Sequence, residues 1–488
     1  MASLLQKEKP KSVSRSFLQD KGISTYTSQP LTLKKRMSPP ASSSVMNAQK
    51  SASATAAKTR KNNKSSTLSS SKTIGKFMKA TATKRQSHFL KNICSDSGVC
   101  IAFGVENNKI KTFFNGFIHF DYIVPPISSI GEISANGFIK EINYEHLGYK
   151  ASSILKSSQN ARADNLYYEY IVGLQINEWI RFFPCFVETY GLYGYSTPES
   201  YKMVKRMPII ADVNMFKKSL MLLDPEPGKD VFDEYNIVCQ GSLYLAVLIQ
   251  HLRDAPSFSD LNGRGSINVI EKYCILAQVY LVLGQLTNVF VHNDLHPGNV
   301  LLYSPSPGKY IEFNYYMPDG KVVRFKSYYV AKMIDYGRCF ITKARSLYDR
   351  LCATPECNPG CGGHYGFNFF ENTLNANNFF ISSMVRNPSH DLRLLKYIMP
   401  ELAVYGRGAH SGHELFGTMP KVVSGLSVGK NGNMKGMVQN ISDASIWFQN
   451  LMKEPNILKI FQTYPADKKF GELHIYMDMK KPMRFVPV

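Results

Sequence analysis

Three polar residues in the second half of the chain have the types and spacing for chemistry. Asp294 and Asn299 lie in His292-Asn293-Asp294-Leu295-His296-Pro297-Gly298-Asn299-Val300-Leu301-Leu302, and Asp335 lies in Met333-Ile334-Asp335-Tyr336-Gly337. Pro297 and Gly298 fix the path of a short loop between the first acid and the amide. Asp335 follows a hydrophobic run and precedes a glycine that permits a tight turn. An acid, an amide and a second acid are the set that phosphoryl transfer needs. Hard oxygen ligands hold Mg2+ against phosphates, and a separate carboxylate orients the attacking hydroxyl. The metal offsets the charge that develops on the transferred group.

The flanking sequence must supply the elements that position this set. Short β-branched and aromatic runs predict strands at 113–124, 137–144 and 150–157. Leu166, Tyr170, Leu174 and Trp179 recur at near-helical spacing over 165–183, and Pro184 ends that helix. Strands are expected at 186–193 and, as a buried apolar run, at 242–251. Ser266 is the expected cap of a long helix reaching Thr287. Its apolar stretch is broken by Gln278, Gln285, Thr287 and Asn288 and falls short of a clean span of ~20 residues, so a buried helix is expected and no membrane partner. A hairpin is expected from 310–316, a Pro318-Asp319-Gly320 turn and 321–331. Leu392, Leu394, Leu395, Ile398, Leu402 and Val404 make an apolar face over 391–405, and 447–461 reads as helix broken at Pro455. The outline is α+β, a small β-rich part followed by a larger helical one.

The two motifs resemble the catalytic loop and metal-binding segment of the protein-kinase superfamily. The resemblance implies a bilobal protein-kinase-like fold, with a β-rich N-lobe at 92–252 that carries insertions and a mainly helical C-lobe at 253–488. It implies Asp294 as catalytic base, Asn299 as a Mg2+ ligand and Asp335 as the main Mg2+ ligand, with Tyr336 in the usual Phe position. It also asks for a strand lysine on the ATP phosphates and a helix glutamate to hold that lysine. Ile154-Leu155-Lys156 ends the third strand run and Glu169 lies 13 residues later, so Lys156 with Glu169 is the expected pair. Lys140 is the rival, though a solvated strand lysine is the preferred reading for it; Glu141 and Glu178 are lesser rivals for the acid. The segment Ile130 to Ile139 occupies the phosphate-cradling position, with Ile130, Gly131 and Gly137 as its expected contacts and two of the three usual glycines present. Residues 249–252 are the expected hinge, whose backbone would bond adenine.

Several positions depart from the pattern. Asn293 replaces the Arg that usually grips a phosphorylated activation loop, which argues against that switch. His296 replaces the usual Lys, no Ala-Pro-Glu follows Asp335, and the expected hairpin lengthens the interval from Asp294 to Asp335 to 41 residues. Within the superfamily the chain is most similar to serine/threonine protein kinases of large double-stranded DNA viruses. The shared segments are Asp164-Asn165-Leu166 with Tyr168-Glu169-Tyr170, Phe183 through Tyr190, His292 through Asn299, and the Ile-Asp-Tyr-Gly-Arg block. That likeness implies ATP-dependent phosphorylation of Ser or Thr in protein substrates, inside an infected cell (host cytoplasm or nucleus) or a virion. Two other readings stand beside it. One is a small-molecule phosphotransferase of the aminoglycoside or choline type, and the other is a catalytically weak kinase-like virion scaffold that binds DNA.

The charge is unevenly placed. The chain of 488 residues has a formal net charge of +21. Residues 1–91 hold 19 of the 58 Lys and Arg but only Glu8 and Asp20 among the 37 acids, an excess of +17, which leaves +4 for the rest. With 18 Ser, 9 Thr and four aromatics, that stretch has too little apolar surface to offset ordering entropy. It is expected to be a disordered basic arm, either a solvated tail or a contact for nucleic acid. Met1 through Lys7 lacks the apolar region of a secretory leader, so reduced thiols are expected. Cys352, Cys357, Cys361 and His364 fall within thirteen residues and could close a structural Zn2+ site, or be ordinary thiols of a Gly/Pro-rich loop. His410, His413 and Glu414 read as surface loop.

Overall fold

The computed structural model describes residues 106–131, 137–158, 164–223, 244–342, 365–368, 378–381, 386–388, 390–399, 421–422, 437–438 and 440–488. The basic arm, the Cys352–His364 cluster and His410, His413 and Glu414 lie outside them.

The first half is built on a seven-stranded sheet. In chain order its elements are α1 (Glu106–Phe113), β1 (Ile123–Ser129), β2 (Gly137–His146), β3 (Tyr149–Ser158), α2 (Asp164–Ile180), β4 (Thr189–Tyr195), α3 (Pro198–Arg206), β5 (Ile209–Ile210), α4 (Val213–Lys218), β6 (Leu220–Leu222) and β7 (Leu245–Gln250). The strands run β5-β1-β2-β3-β7-β4-β6, and every neighbouring pair is antiparallel. Period-two alternation gives each strand two faces. Phe138, Ile142 and Tyr144 of β2 and Leu155 of β3 enter one core with Tyr193, Tyr195, Tyr201 and Phe216. The opposite face lies toward α2, whose Leu166, Tyr170 and Ile176 belong to the larger core of the second half. Gly173 of α2 comes so close to the sheet that a Cβ would stand 2.1 Å from Thr189 Oγ1, so no larger residue fits there.

The strand expected at 113–124 is not formed before Ile123. Phe113 ends α1, and Asn115, Phe117, Phe120 and Tyr122 take positive φ between 54° and 61°, which no strand accommodates. Each such residue costs about 1–2 kcal/mol. Burial of Phe114, Phe117 and Phe120 offsets this at about 1.5–3 kcal/mol each. Phe117 stacks on Tyr190 and Phe120 on Tyr193, both at 5.0 Å between ring centroids. The aromatic run is therefore a coiled plug on the sheet rather than a strand of it.

The second half contains α5 (Phe258–Gly263), α6 (Val269–Leu286), β8 (Phe290–Val291), β9 (Val300–Tyr303), β10 (Tyr310–Tyr316), β11 (Val322–Ser327), β12 (Val330–Met333), β13 (Phe340–Ile341), β14 (Tyr365–Asn368), β15 (Asn378–Ile381), α7 (Leu392–Ile398), β16 (Lys421–Val422), β17 (Met437–Val438), α8 (Ile441–Leu451), α9 (Pro455–Gln462), β18 (Lys469–Tyr476) and β19 (Arg484–Pro487). Its described residues divide between helix and strand, so "mainly helical" is corrected. The hairpin β10–β11 forms, but its second arm ends at Ser327 rather than running to 331; Val330 and Ala331 belong to β12, which pairs with β9. The hairpin continues into a four-stranded sheet, β11-β10-β18-β19, that the C-terminal strands complete. Ile311, Phe313, Tyr315, Val323, Phe325, Leu473 and Ile475 are its core-facing residues.

α6 is the central pillar. Asn268, not Ser266, caps it by accepting from Glu271 N. By length and composition α6 could cross a membrane, but 14 of its 18 residues are buried inside the protein. Two buried polar residues of the helix bind the β11–β12 region. Glu271 Oε1 accepts from Ser327 Oγ and from Tyr328 N (3.0 Å), and Gln278 Oε1 accepts from Ala331 N at 2.9 Å. Both tie the β11–β12 link to the helix. Gly284 allows α8 to approach, since a Cβ there would lie 2.3 Å from Ser445 Cβ. Pro455 separates α8 from α9 and takes a first-turn position in the latter.

Candidate active site

Two short strand pairs hold the motifs side by side. β8 pairs with β13, and β9 pairs with β12, each antiparallel. The loop from His292 to Asn299 joins β8 to β9, and the segment Ile334 to Cys339 joins β12 to β13, so the two loops must run together. Ile334 N donates to Asn299 O at 3.0 Å, His292 Nε2 lies 3.0 Å from Ile334 O, and Asn293 Nδ2 donates to Arg338 O at 3.2 Å. Asn299 Nδ2 donates to Asp294 O at 3.0 Å, which closes the loop on itself. Asn293 and Asp335 have φ of 61° and 68°. Asx residues tolerate this region best, and such strain concentrates at functional sites.

Asp391 anchors the loop from behind. It stands at the head of α7 but makes no cap bond; its two carboxylate oxygens accept from His292 N (2.7 Å) and Asn293 N (2.9 Å). It is fully buried, and burial pushes its carboxyl up to about 7 against the pull of those amides. At the sequence level it looked like a helix start only, because the amides it serves are almost a hundred residues away.

Lys156 meets both acids expected near it. From β3 its Nζ lies 2.6 Å from Glu169 Oε2 on α2 and 3.0 Å from Asp335 Oδ1. Burial alone would lower the Lys156 pKa, but Asp335 and Glu169 outweigh it and hold the amine above its usual value. Lys156 in turn holds Asp335 below the usual carboxylate range. Glu169 is pushed up by burial, to about 7, against the pull of Lys156. Tyr336 anchors the turn after Asp335: its hydroxyl accepts from Val187 N at 2.8 Å and lies 2.9 Å from Met333 O.

Lys140 is elsewhere. It is not a solvated strand lysine: it is wholly buried on the other face of the sheet, bonded to Ser129 Oγ (2.7 Å) and Met207 O. Of the cradle, Ile130 N donates to Ile139 O at 3.1 Å, and Gly131 and Gly137 have φ of 67° and 142°; residues 132–136 lie outside the described set. At the hinge, Gln250 N and His251 N donate to Glu188 O and Ser152 O, so neither is a donor for a purine. Glu141 pairs instead with His251 and Arg253, at 3.4 and 3.6 Å.

Sequence reasoning missed two arginines. Arg338 NH1 lies 3.3 Å from Asp294 Oδ2, and Arg393 NH1 lies 3.2 Å from Asp294 Oδ1. Arg338 directly follows the Asp335-Tyr336-Gly337 turn and was legible by adjacency; Arg393, on α7, was not. Among the described residues no three His, Cys, Asp or Glu side chains gather as a metal site. A pair made of Asp335 and the amide oxygen of Asn299 is a different kind of set, two hard oxygen donors on adjoining loops. No protein-family model matches this chain, and no curated protein matches it in sequence.

Proposed function

We propose that the protein is an ATP-dependent serine/threonine protein kinase with a bilobal kinase-like arrangement. In that reading the seven-stranded sheet and α2 form the N-lobe, and α5 through β19 form the C-lobe. The observation that carries the reading is the Lys156 amine held between Glu169 and Asp335, with Asp294 and Asn299 on the loop zipped beside Asp335. Lys156 grips the ATP α- and β-phosphates, and Glu169 orients it. The Ser or Thr oxygen attacks the γ-phosphorus while the bond to the β-phosphate oxygen breaks and ADP leaves. Asp294 takes the hydroxyl proton. Mg2+, when bound by Asp335 and Asn299, neutralises charge on the phosphate oxygens. The basic arm is an address or a nucleic-acid contact, and the setting is an infected cell or a virion.

The test is transfer of labelled γ-phosphate from Mg·ATP to a generic protein substrate. Asp294→Asn and Asp335→Asn should each lower incorporation by about a hundredfold or more. Unchanged incorporation in both variants would overturn the site assignment. Label passing only to an aminoglycoside or choline would favour the small-molecule reading instead.

A further inference from the structure

One short segment, residues 185–189, braces the proposed site from behind and leads into β4. Cys185 O accepts from Met333 N at 2.7 Å, which fixes β12 just ahead of Asp335. Val187 N donates to the Tyr336 hydroxyl at 2.8 Å, on the turn after Asp335. Glu188 N donates to Gln250 Oε1 at 3.3 Å, and Glu188 O accepts from Gln250 N at 2.8 Å, at the expected hinge. Thr189 N donates to Asn177 Oδ1 (3.0 Å) and Thr189 O accepts from Asn177 Nδ2 (2.6 Å), on the helix α2 that carries Glu169. A shift of this segment would therefore disturb the Asp335 turn, the hinge and α2 together.

The Glu188 side chain ties the same segment to α1. Its Oε1 accepts from Lys111 Nζ at 2.8 Å and its Oε2 from Asn107 Nδ2 at 2.6 Å. The Glu188 side chain is 4% exposed and that of Lys111 33%. A buried carboxylate is costly unless it is paired and hydrogen-bonded, and α1 supplies both. α1 has a firm footing of its own, because Ile110 and Phe113 enter the core shared with Phe138, Ile142 and Leu155. None of the residues proposed for catalysis, metal or nucleotide lies on α1.

We propose that Lys111 and Asn107 are positioning residues for the nucleotide: through Glu188 they hold residues 185–189, and with them the Asp335 turn and the hinge, in the arrangement that binds Mg·ATP. The inference rests on the kinase reading above. Charge-assisted hydrogen bonds such as these are the strong ones, and a small displacement at a phosphate site is costly, so a contact outside the cleft can act on what the cleft binds.

The experiment uses the full chain. It reads the Kd for Mg·ATP by calorimetry, the free Mg2+ that gives half-maximal phosphate incorporation, and the Tm. Lys111→Met should raise the first two by about two- to thirtyfold, the range over which residues outside a ligand site act on it. Asn107→Ala should raise them by the lower part of that range. Lys111→Arg, which keeps a cation within reach of Glu188, should stay near wild type. A merely structural fastener would lower the Tm and the active fraction but leave both constants alone, since neither depends on how much protein is folded. Constants unchanged in Lys111→Met and Asn107→Ala, with wild type active, overturn the inference and leave the kinase reading standing. If Lys111→Met fails to fold, Asn107→Ala decides, and wild-type constants in it overturn the inference. A wild type that incorporates no phosphate into any protein overturns the kinase reading and the inference with it.

Discussion

Lys140 and Lys156 sit on adjacent strands of one sheet, on opposite faces, and differ in what meets their charge. The register sets Ile139 against Lys156 and Lys140 against Leu155, so the two amines point to opposite sides. Lys156 is met by two carboxylates and stays a cation despite burial. Lys140 meets a hydroxyl and a carbonyl in an aromatic core, and burial lowers its amine to about 8. The same residue type is thus a charged instrument on one face and a marginally charged tether on the other. Burial disfavours the cation on both faces, and only opposite charge reverses it.

The largest effect should separate the two lysines by activity. Lys156→Met removes the cation held between Glu169 and Asp335 and should lower phosphate incorporation by on the order of 10³. Lys140→Met should stay within about twofold, because Lys140 touches neither acid. If Lys140→Met is the inactive variant, the assignment of the phosphate lysine is reversed. Glu169→Gln, which leaves Lys156 with Asp335 alone, should fall between, by about ten- to a hundredfold.

What the sequence made legible follows from the range of each interaction. β2 and β3 could be read because strand-forming composition is local, β7 because its apolar run is unbroken, and the His292–Asn299 loop because its parts are contiguous. The lysine rivalry could not be settled on sequence grounds, since the cover over Lys140 comes from Met207, 67 residues on. The plug at 113–124 was misread because aromatic, β-branched composition does not reveal positive φ. β18 was readable but unread: Gly471, Leu473, Ile475 and Met477 alternate with Glu472, His474 and Tyr476.

Asp391 and Asp294 are two acids of one site that differ in what holds them. Asp294 is held by arginine side chains, Asp391 by backbone amides. Asp391→Ala strands two buried N–H groups and should cost about 2–4 kcal/mol, read as a lower denaturant midpoint with unchanged slope. Activity should fall with it, because the loop that carries Asp294 loses its anchor. Asp294→Ala should lose activity with little change in midpoint. Equal midpoints for the two variants would remove the distinction between anchor and base.

The smallest effect tests the tether directly, through pH. The folded-state pKa of Lys140 is about 8 and its ordinary value is 10.5, so between those limits the folded protein binds fewer protons than the unfolded one. Stability from this group therefore rises as pH goes from 8 to 10.5 and is lost as pH falls through 8. Lys332, also buried and lowered to about 8, adds the same trend to wild type and variant alike. Lys140→Met removes one share of it. At pH 7 the variant escapes the cost of a buried cation but leaves Met207 O without its donor. At pH 10 the wild-type amine is neutral and still bonds Met207 O, so the variant keeps only the loss. The difference in Tm, variant minus wild type, should therefore fall steadily between pH 7 and pH 10. A difference that stays flat would mean that Lys140 is as easily charged in the fold as in water. A difference that rises would mean that some acid on that face stabilises it, which would make its two sides alike after all.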